Sequence, residues 1–400
     1  MKKNIPYSLS KSDLYELFEY VEKRKKIEPL FYKSIIEMYQ RNSRWSNIVF
    51  RWIVYILSWR FKPQEKSIKY YFWGIRFKEI ILSLPVDEVC IVGGPKQLFF
   101  CVKHHRHYLP CLNMWNILLS GLLSRSTIDN SRIANLIRSF AVKLKKNASP
   151  LAVLIVDNDS LPMQRTAVLA ARVAGIHQTV CVQHGIFQSK SPGHIMDGWF
   201  ADKMFVMNEI QRFMLIKKGM DPKKIKVMGF HTSPYLPERS TSLPGQRRIC
   251  FLGQPWSKYS DKIGMRYLEI VERIMVILRA NELDVVYKPH PGELGCKYLA
   301  KIKNVINAPL SVIIENYDVF ISLTSTALIE TEVAGRISIQ ITDSNFDCDP
   351  FQVYGEIVSI DYCDKKFKEK LCNAINSNAK ISKKSLNASD GFLKTINSYE

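Results

Sequence analysis

Three stretches of this chain concentrate side chains that bind anions or move protons. The first is "YKPHPGE", residues 287–293, where His290 stands between Pro289 and Pro291 with Lys288 beside it. It follows a largely apolar run, residues 283–286, that reads as the end of a buried strand. Proline fixes φ and has no N–H to donate, so the two prolines stiffen the backbone around the imidazole. A stiffened histidine next to a lysine, at the carboxyl end of a parallel strand, suits gripping an anion. The competing reading is a proline-rich turn with an incidental histidine.

The second stretch is "SLTSTALIETEVAG", residues 322–335, a strand running into Ser322, Thr324, Ser325 and Thr326 and then a helix. Hydroxyls and free N–H groups at a helix start form an anion site, to which the helix dipole adds. Glu330, four residues after Thr326, rises on the same helical face, where a carboxylate suits two sugar hydroxyls of a nucleotide. Read structurally instead, the hydroxyls are N-caps and Glu330 a surface charge. Gly253, ending the strand "ICFLGQP", is grouped with them. The expected nucleotide-binding set is therefore Lys288, His290, Ser325, Thr326, Glu330 and Gly253.

The third is a pair of strand ends, "VDND" (156–159) and "VQHG" (182–185). Asp157, Asp159 or His184 there could take a proton from an attacking hydroxyl, and Gly185 lets the chain turn sharply after the histidine. One aspartate could equally be a helix cap, and His184 a core histidine. "VGGPK", 92–96, lacks the spacing of either common phosphate-binding loop. "KHHRH", 103–107, has no carboxylate or cysteine to complete a ligand set, so no metal is expected.

These ends need strands and helices to hold them. Four hundred residues suggest two domains, and 46% hydrophobic with 24% charged residues is a globular composition. The net charge of +20 points to acidic partners: phosphorylated small molecules, nucleic acid or an anionic membrane face. No nucleic-acid-binding motif is present, so nucleic acid is not expected as a partner. The N-terminus has no apolar segment of signal-peptide type. The run at 48–59 is interrupted by Arg51 and falls short of the ~20 residues of a spanning helix. Nine cysteines without a CxxC pair suit a reducing cytosol.

Residues 1–85 read as a helical, basic and aromatic extension. Within it, 44–77 alternates aromatics with Arg and Lys, which suits an interface with the membrane or a helix pair packed on the body. Alternating strands and helices then give an α/β domain over 86–235 and, after a proline- and serine-rich linker at 236–248, a second over 249–360. A helical tail, 361–400, is expected to cross back over the first domain. Ligands of such doubly wound sheets sit at strand carboxyl ends, here in a cleft between the two domains.

With these residues in view, the chain resembles bacterial glycosyltransferases of the two-Rossmann-domain GT-B type that build surface polysaccharides such as capsule and O-antigen. "FADKMFVMNEIQRFMLIKKGMDPKKIKVMGF" looks like the stretch these enzymes carry before the interdomain linker. "KPHP" followed some thirty residues later by "SLTSTALIE" is similar to two motifs of bacterial sialyltransferases. "QHG" plus "KPHP" is also similar to the CDP-glycerol glycerophosphotransferases and to capsule-type Kdo transferases. The resemblance covers residues 150–345. It implies that His290, Ser325 and Thr326 hold the donor phosphate and Glu330 the ribose. Asp157 or Asp159 matches the acidic base motif, although "DNDS" departs from the usual Asp/Glu-Asp/Glu-Gly; the glycerophosphotransferase analogy makes His184 the base instead. The implied activity is inverting sugar transfer, sialic acid from CMP-sialic acid first among donors, without a cofactor or a metal. The implied acceptor is a glycan or lipid-linked oligosaccharide at the inner membrane face, with residues 44–77 against the membrane. An epimerase of the same architecture and a non-catalytic membrane-associated assembly factor are the alternatives.

Overall fold

The apolar runs of the sequence form parallel strands, buried on both faces, and so read as continuous rather than alternating. The computed structural model describes residues 9–27, 33, 56–111, 130–158, 161–183, 185–187, 200–230, 247–258, 260–346, 349–377 and 388–397. The chain divides into two units: residues 1–184, 192–231 and 387–400 form the first, and 185–191 with 232–386 the second.

Unit 1 carries β1 Ile68–Trp73, β2 Val89–Gly93, β3 His107–Pro110, β4 Ala148–Val156, β5 Gln178–Val182, β6 Lys203–Val206 and β7 Ile225–Val227. They form a seven-stranded sheet in the order β3-β2-β1-β4-β5-β6-β7, with every pairing parallel. The order reverses direction between β1 and β4, so the crevice of this sheet opens at their carboxyl ends. The helix Pro162–Ala174 ends on Gly175, whose φ of 73° is the left-handed conformation that glycine adopts without steric cost.

Strand β1 corrects the expectation of an all-helical extension. "IKYYFW" is aromatic and β-branched, and between β2 and β4 it is buried almost throughout. Tyr70, Tyr71, Phe72, Trp73 and Phe77 are therefore core, and these aromatics of 44–77 cannot face a membrane. Residues 44–55 lie outside the described residues; Ile56, Leu57 and Trp59 are exposed. The helix Lys11–Ile27 packs on Pro162–Ala174, with the Arg165 guanidinium 3.4 Å from the centre of the Tyr20 ring. The terminal helix Ala388–Asn397 also belongs to unit 1. Its Phe392 is fully buried, with ring centroids 6.1–6.3 Å from those of Tyr70, Phe72 and Phe205.

Unit 2 carries β8 Ile249–Leu252, β9 Val285–Lys288, β10 Val319–Ser322, β11 Ile337–Thr342 and β12 Val358–Asp361. The sheet order is β12-β11-β10-β8-β9, again parallel throughout. Its direction reverses between β8 and β10. The helices Asp261–Ala280 and Phe367–Asn376 supply Tyr267, Ile270, Ile274, Phe367 and Leu371 to its core. The proline- and serine-rich stretch 236–246 lies outside the described residues. Among the described residues, no helix is long and apolar enough to cross a membrane.

Candidate functional site

The carboxyl ends of β8, β9 and β10 gather the six residues expected to hold a nucleotide. Gly253 follows β8, Lys288 ends β9 with His290 two residues beyond, and Ser325, Thr326 and Glu330 follow β10. Gly253 and the Ser/Thr run thus flank the reversal point of the sheet, where doubly wound folds bind ligands.

What fixes His290 is a carboxylate not singled out in the sequence. Glu293 is fully buried, and its Oε2 accepts the His290 N–H at 2.5 Å. Its Oε1 accepts the Tyr287 hydroxyl at 2.6 Å and the Tyr298 hydroxyl at 2.5 Å. Tyr287 has one proton and gives it to Glu293, so Tyr267, 2.9 Å away, donates to Tyr287. Tyr267 in turn accepts the Gln254 N–H at 2.9 Å. Donors therefore converge on Glu293 from two sides: from the loop after β8 through a helix and β9, and from the backbone of the histidine. Burial pushes the Glu293 carboxyl above its ordinary value, and the donors from Tyr287, Tyr298 and His290 pull it only part of the way back. The same desolvation raises all three tyrosines, which stay protonated donors.

The His290 ring is exposed, and its Nδ1 accepts the Gly292 N–H at 2.9 Å. The neutral imidazole must then carry its proton on Nε2, which makes that nitrogen a donor. Pro289 and Pro291 hold the backbone, Glu293 holds the N–H, and Gly292 sets the tautomer. An Nε2–H presented this way suits an anionic oxygen.

Gly253 owes its identity to the same chain: a Cβ there would lie 2.2 Å from Glu293 Oε2 and 2.6 Å from the Tyr287 hydroxyl. Both neighbours are buried and hydrogen-bonded, so neither can retreat. The variant Gly253→Ala is expected to lose about 1–3 kcal/mol of stability, read by urea unfolding. A loss below a few tenths of that would show the Glu293 network to be loose.

The Ser/Thr run divides by role. Ser322 is fully buried and donates to the Leu252 carbonyl at 2.7 Å, tying β10 to β8. It serves the sheet, not a ligand. The Ser325 hydroxyl accepts the Ala327 N–H at 3.3 Å, and Thr326 Oγ1 accepts the Ile186 N–H at 3.0 Å. Both hydroxyls keep their protons to donate. Glu330 is half-buried one turn above Thr326.

In unit 1, Asp157 lies at the reversal point. Its Oδ2 accepts Arg76 Nε at 2.8 Å from the chain after β1, and its Oδ1 accepts Gln164 Nε2 at 3.3 Å from the helix beyond β4. Asp157 thereby joins the ends of β1 and β4. Asp159 and His184 lie outside the described residues. The residue before His184 is clamped: Gln183 Oε1 accepts the Met207 N–H at 3.0 Å, and its Nε2 donates to Gln211 Oε1 at 2.5 Å. Gln183 and Gln211 are both buried, and no spacing rule would have joined them. The "VGGPK" turn is filled by Gln97, which accepts the Gly94 N–H at 3.1 Å. In "KHHRH", Arg106 is buried and donates to the Leu84 and Leu82 carbonyls, so that run anchors the start of β3.

Two doubly wound α/β units in series, with candidate residues at their strand ends, define a GT-B-type fold. The fold is shared with HepE of Anabaena, solved with UDP and glucose, at 10% identity and a TM-score of 0.53 over 83% of this chain and all of that one. It is shared with the UDP-GlcNAc 2-epimerase of Methanocaldococcus jannaschii at 15% identity and a TM-score of 0.54, over 83% and 99% of the chains. The UDP-GlcNAc 2-epimerase of Neisseria meningitidis, bound to UDP-GlcNAc, aligns at 12% identity and 0.52 over the same shares. No family model and no curated protein matches the sequence.

Proposed function

We propose that this protein transfers a sugar from a nucleotide-sugar donor to a hydroxyl of a glycan or lipid-linked acceptor in bacterial surface polysaccharide synthesis. The observation that carries this reading is the buried Glu293 chain, which fixes a His290 donor beside the reversal point of the unit 2 sheet. His290, Lys288, Ser325 and Thr326 take the donor phosphate, Glu330 takes the ribose hydroxyls, and Gly253 lets the backbone come close. The acceptor oxygen attacks the anomeric carbon as the bond from that carbon to the phosphate oxygen breaks. The bonding pair leaves on the phosphate, where the His290 and Lys288 donors meet the growing charge. The acceptor proton passes to Asp159 or His184, with Asp157 held by Arg76 in support. A single displacement inverts the anomeric configuration.

The donor is a pyrimidine nucleotide sugar. The "KPHP" and "SLTSTALIE" motifs favour CMP-sialic acid. "QHG" with "KPHP" puts CMP-Kdo next, or instead of a nucleotide sugar a CDP-polyol, whose transfer breaks the phosphoanhydride and releases CMP rather than breaking a bond to an anomeric carbon. The fold relatives, solved with UDP or UDP-sugars, favour a UDP-linked sugar. Those relatives also favour a second reading, epimerisation of a sugar nucleotide without any acceptor. The two separate in one assay, in which donors are incubated with and without a lipid-linked glycan. Nucleotide release that requires acceptor supports transfer. A changed sugar nucleotide without acceptor supports the epimerase, and no turnover of any donor contradicts both.

A further inference from the structure

We propose that the outer edge of unit 1, formed by the helix Glu209–Lys217 and β7, is a surface that seats on an anionic bilayer. The helix buries Gln211 and Leu215, one turn apart, against the sheet. Its opposite face carries Ile210, Phe213 and Lys217 at helical spacing, and Phe213 is 68% exposed. Ile210 beside it is 41% exposed, so the two form an apolar strip rather than a lone side chain.

Cations ring it. Between residues 209 and 227, Arg212, Lys217, Lys218, Lys223, Lys224 and Lys226 stand against only Glu209 and Asp221. All five lysines are exposed. Among the described residues β7 ends the sheet, so Lys226 lies on the edge strand, with Lys223 and Lys224 in the turn just before it. Next to the helix, a concavity of about 580 Å³ is lined by Lys203, Arg212, Lys223 and Lys226, with Glu209 at its side. It is large enough for a phosphate headgroup and has the charge to hold one.

An exposed aromatic and an isoleucine beside clustered lysines is the arrangement of interfacial segments, in which apolar side chains enter the headgroup boundary and cations meet lipid phosphate. A nucleic-acid surface would use the same charge, and single strands stack bases on an aromatic such as Phe213, but Ile210 has no role there and no nucleic-acid-binding motif is present. This inference extends the transferase reading, whose acceptor is carried on a lipid. It also moves the membrane contact away from the aromatics of β1, which are core.

The test is flotation of the full-length protein with vesicles of phosphatidylcholine alone or with phosphatidylglycerol, in the absence of any donor. Binding is expected only with the anionic lipid. The triple variant K223E/K224E/K226E is expected to lower the partition constant on the order of a hundredfold, and F213S about tenfold. Unchanged binding in both variants overturns the proposal. Loss in the triple variant with full binding by F213S identifies a general polyanion surface and also overturns it. Melting temperatures confirm that each variant is folded. Flotation needs no nucleotide, so its failure would leave the donor-site reading standing, and the reverse also holds.

Discussion

Replacing His290 with alanine is expected to lower sugar transfer by about 10²–10³-fold and to leave stability nearly unchanged. The ring is exposed, so no cavity forms. The bond from Glu293 goes to the His290 backbone N–H, which alanine keeps. Alanine removes the Gly292 contact and the Nε2 donor. The variant His290→Asn separates these two. Its side-chain oxygen can again accept the Gly292 N–H, yet it places no donor where Nε2 stood. It should restore the loop and not the rate. Turnover within a fewfold of the parent in either variant would remove His290 from the chemistry.

Glu293→Ala should be the more damaging change to the fold. It orphans the Tyr287 hydroxyl, the Tyr298 hydroxyl and the His290 N–H at once. A buried donor left without a partner costs about 1–3 kcal/mol, so a total loss of about 3 kcal/mol or more is expected. That is a large share of the ~5–15 kcal/mol that holds a domain together. Glu293→Gln is the finer probe. Its carbonyl can still accept both tyrosines, but its NH₂ faces the His290 N–H, donor against donor. Transfer should fall, and the nucleotide-induced rise in Tm should shrink with it, because the misplaced histidine is itself a phosphate contact.

The pH dependence gives Glu293 a readout independent of activity. Its folded carboxyl lies above its ordinary value of 4.5 because burial outweighs the hydrogen bonds that favour the anion. A raised folded value means that the folded state binds the proton more tightly than the unfolded state. The associated stability is full below about 4.5 and is lost as pH rises through the folded value. Melting temperatures of parent and Glu293→Gln, compared between pH 4 and 8, should therefore converge or cross as pH rises. A constant difference would show that Glu293 does not titrate as its burial requires.

Much of this fold was legible in the sequence because parallel strands buried on both faces leave continuous apolar runs. "LAVLIV", "TVCV", "VFIS" and "ISIQI" are all strands, and Gly175 stops its helix in the left-handed conformation. Strand β1 was not legible. Its aromatics are flanked by lysines and tryptophans that read equally well as an amphipathic surface, and only its place between β2 and β4 decides otherwise. The candidate residues were found where prolines, histidines and hydroxyls cluster locally. Glu293 was in the same seven residues as His290, and its own partners Tyr287, His290 and Tyr298 are local, but Tyr267 and Gly253, which help to enclose it, are distant in sequence. A buried carboxylate is recognisable only once the chain has closed around it. The Gln183–Gln211 clamp was invisible for the same reason.

The central claim is that the strand ends of unit 2 hold the nucleotide of a sugar donor through the His290 loop. It is tested most directly by melting the purified protein with CMP, CDP, UDP or GDP, beside the His290→Ala variant. Saturation of a native-state site at about a hundred times its Kd contributes about 2.7 kcal/mol, a clear rise in Tm. The account predicts such a rise with a pyrimidine nucleotide, and a much smaller one in the variant. A parent protein unmoved by all four nucleotides, or an equal shift in the variant, would contradict it.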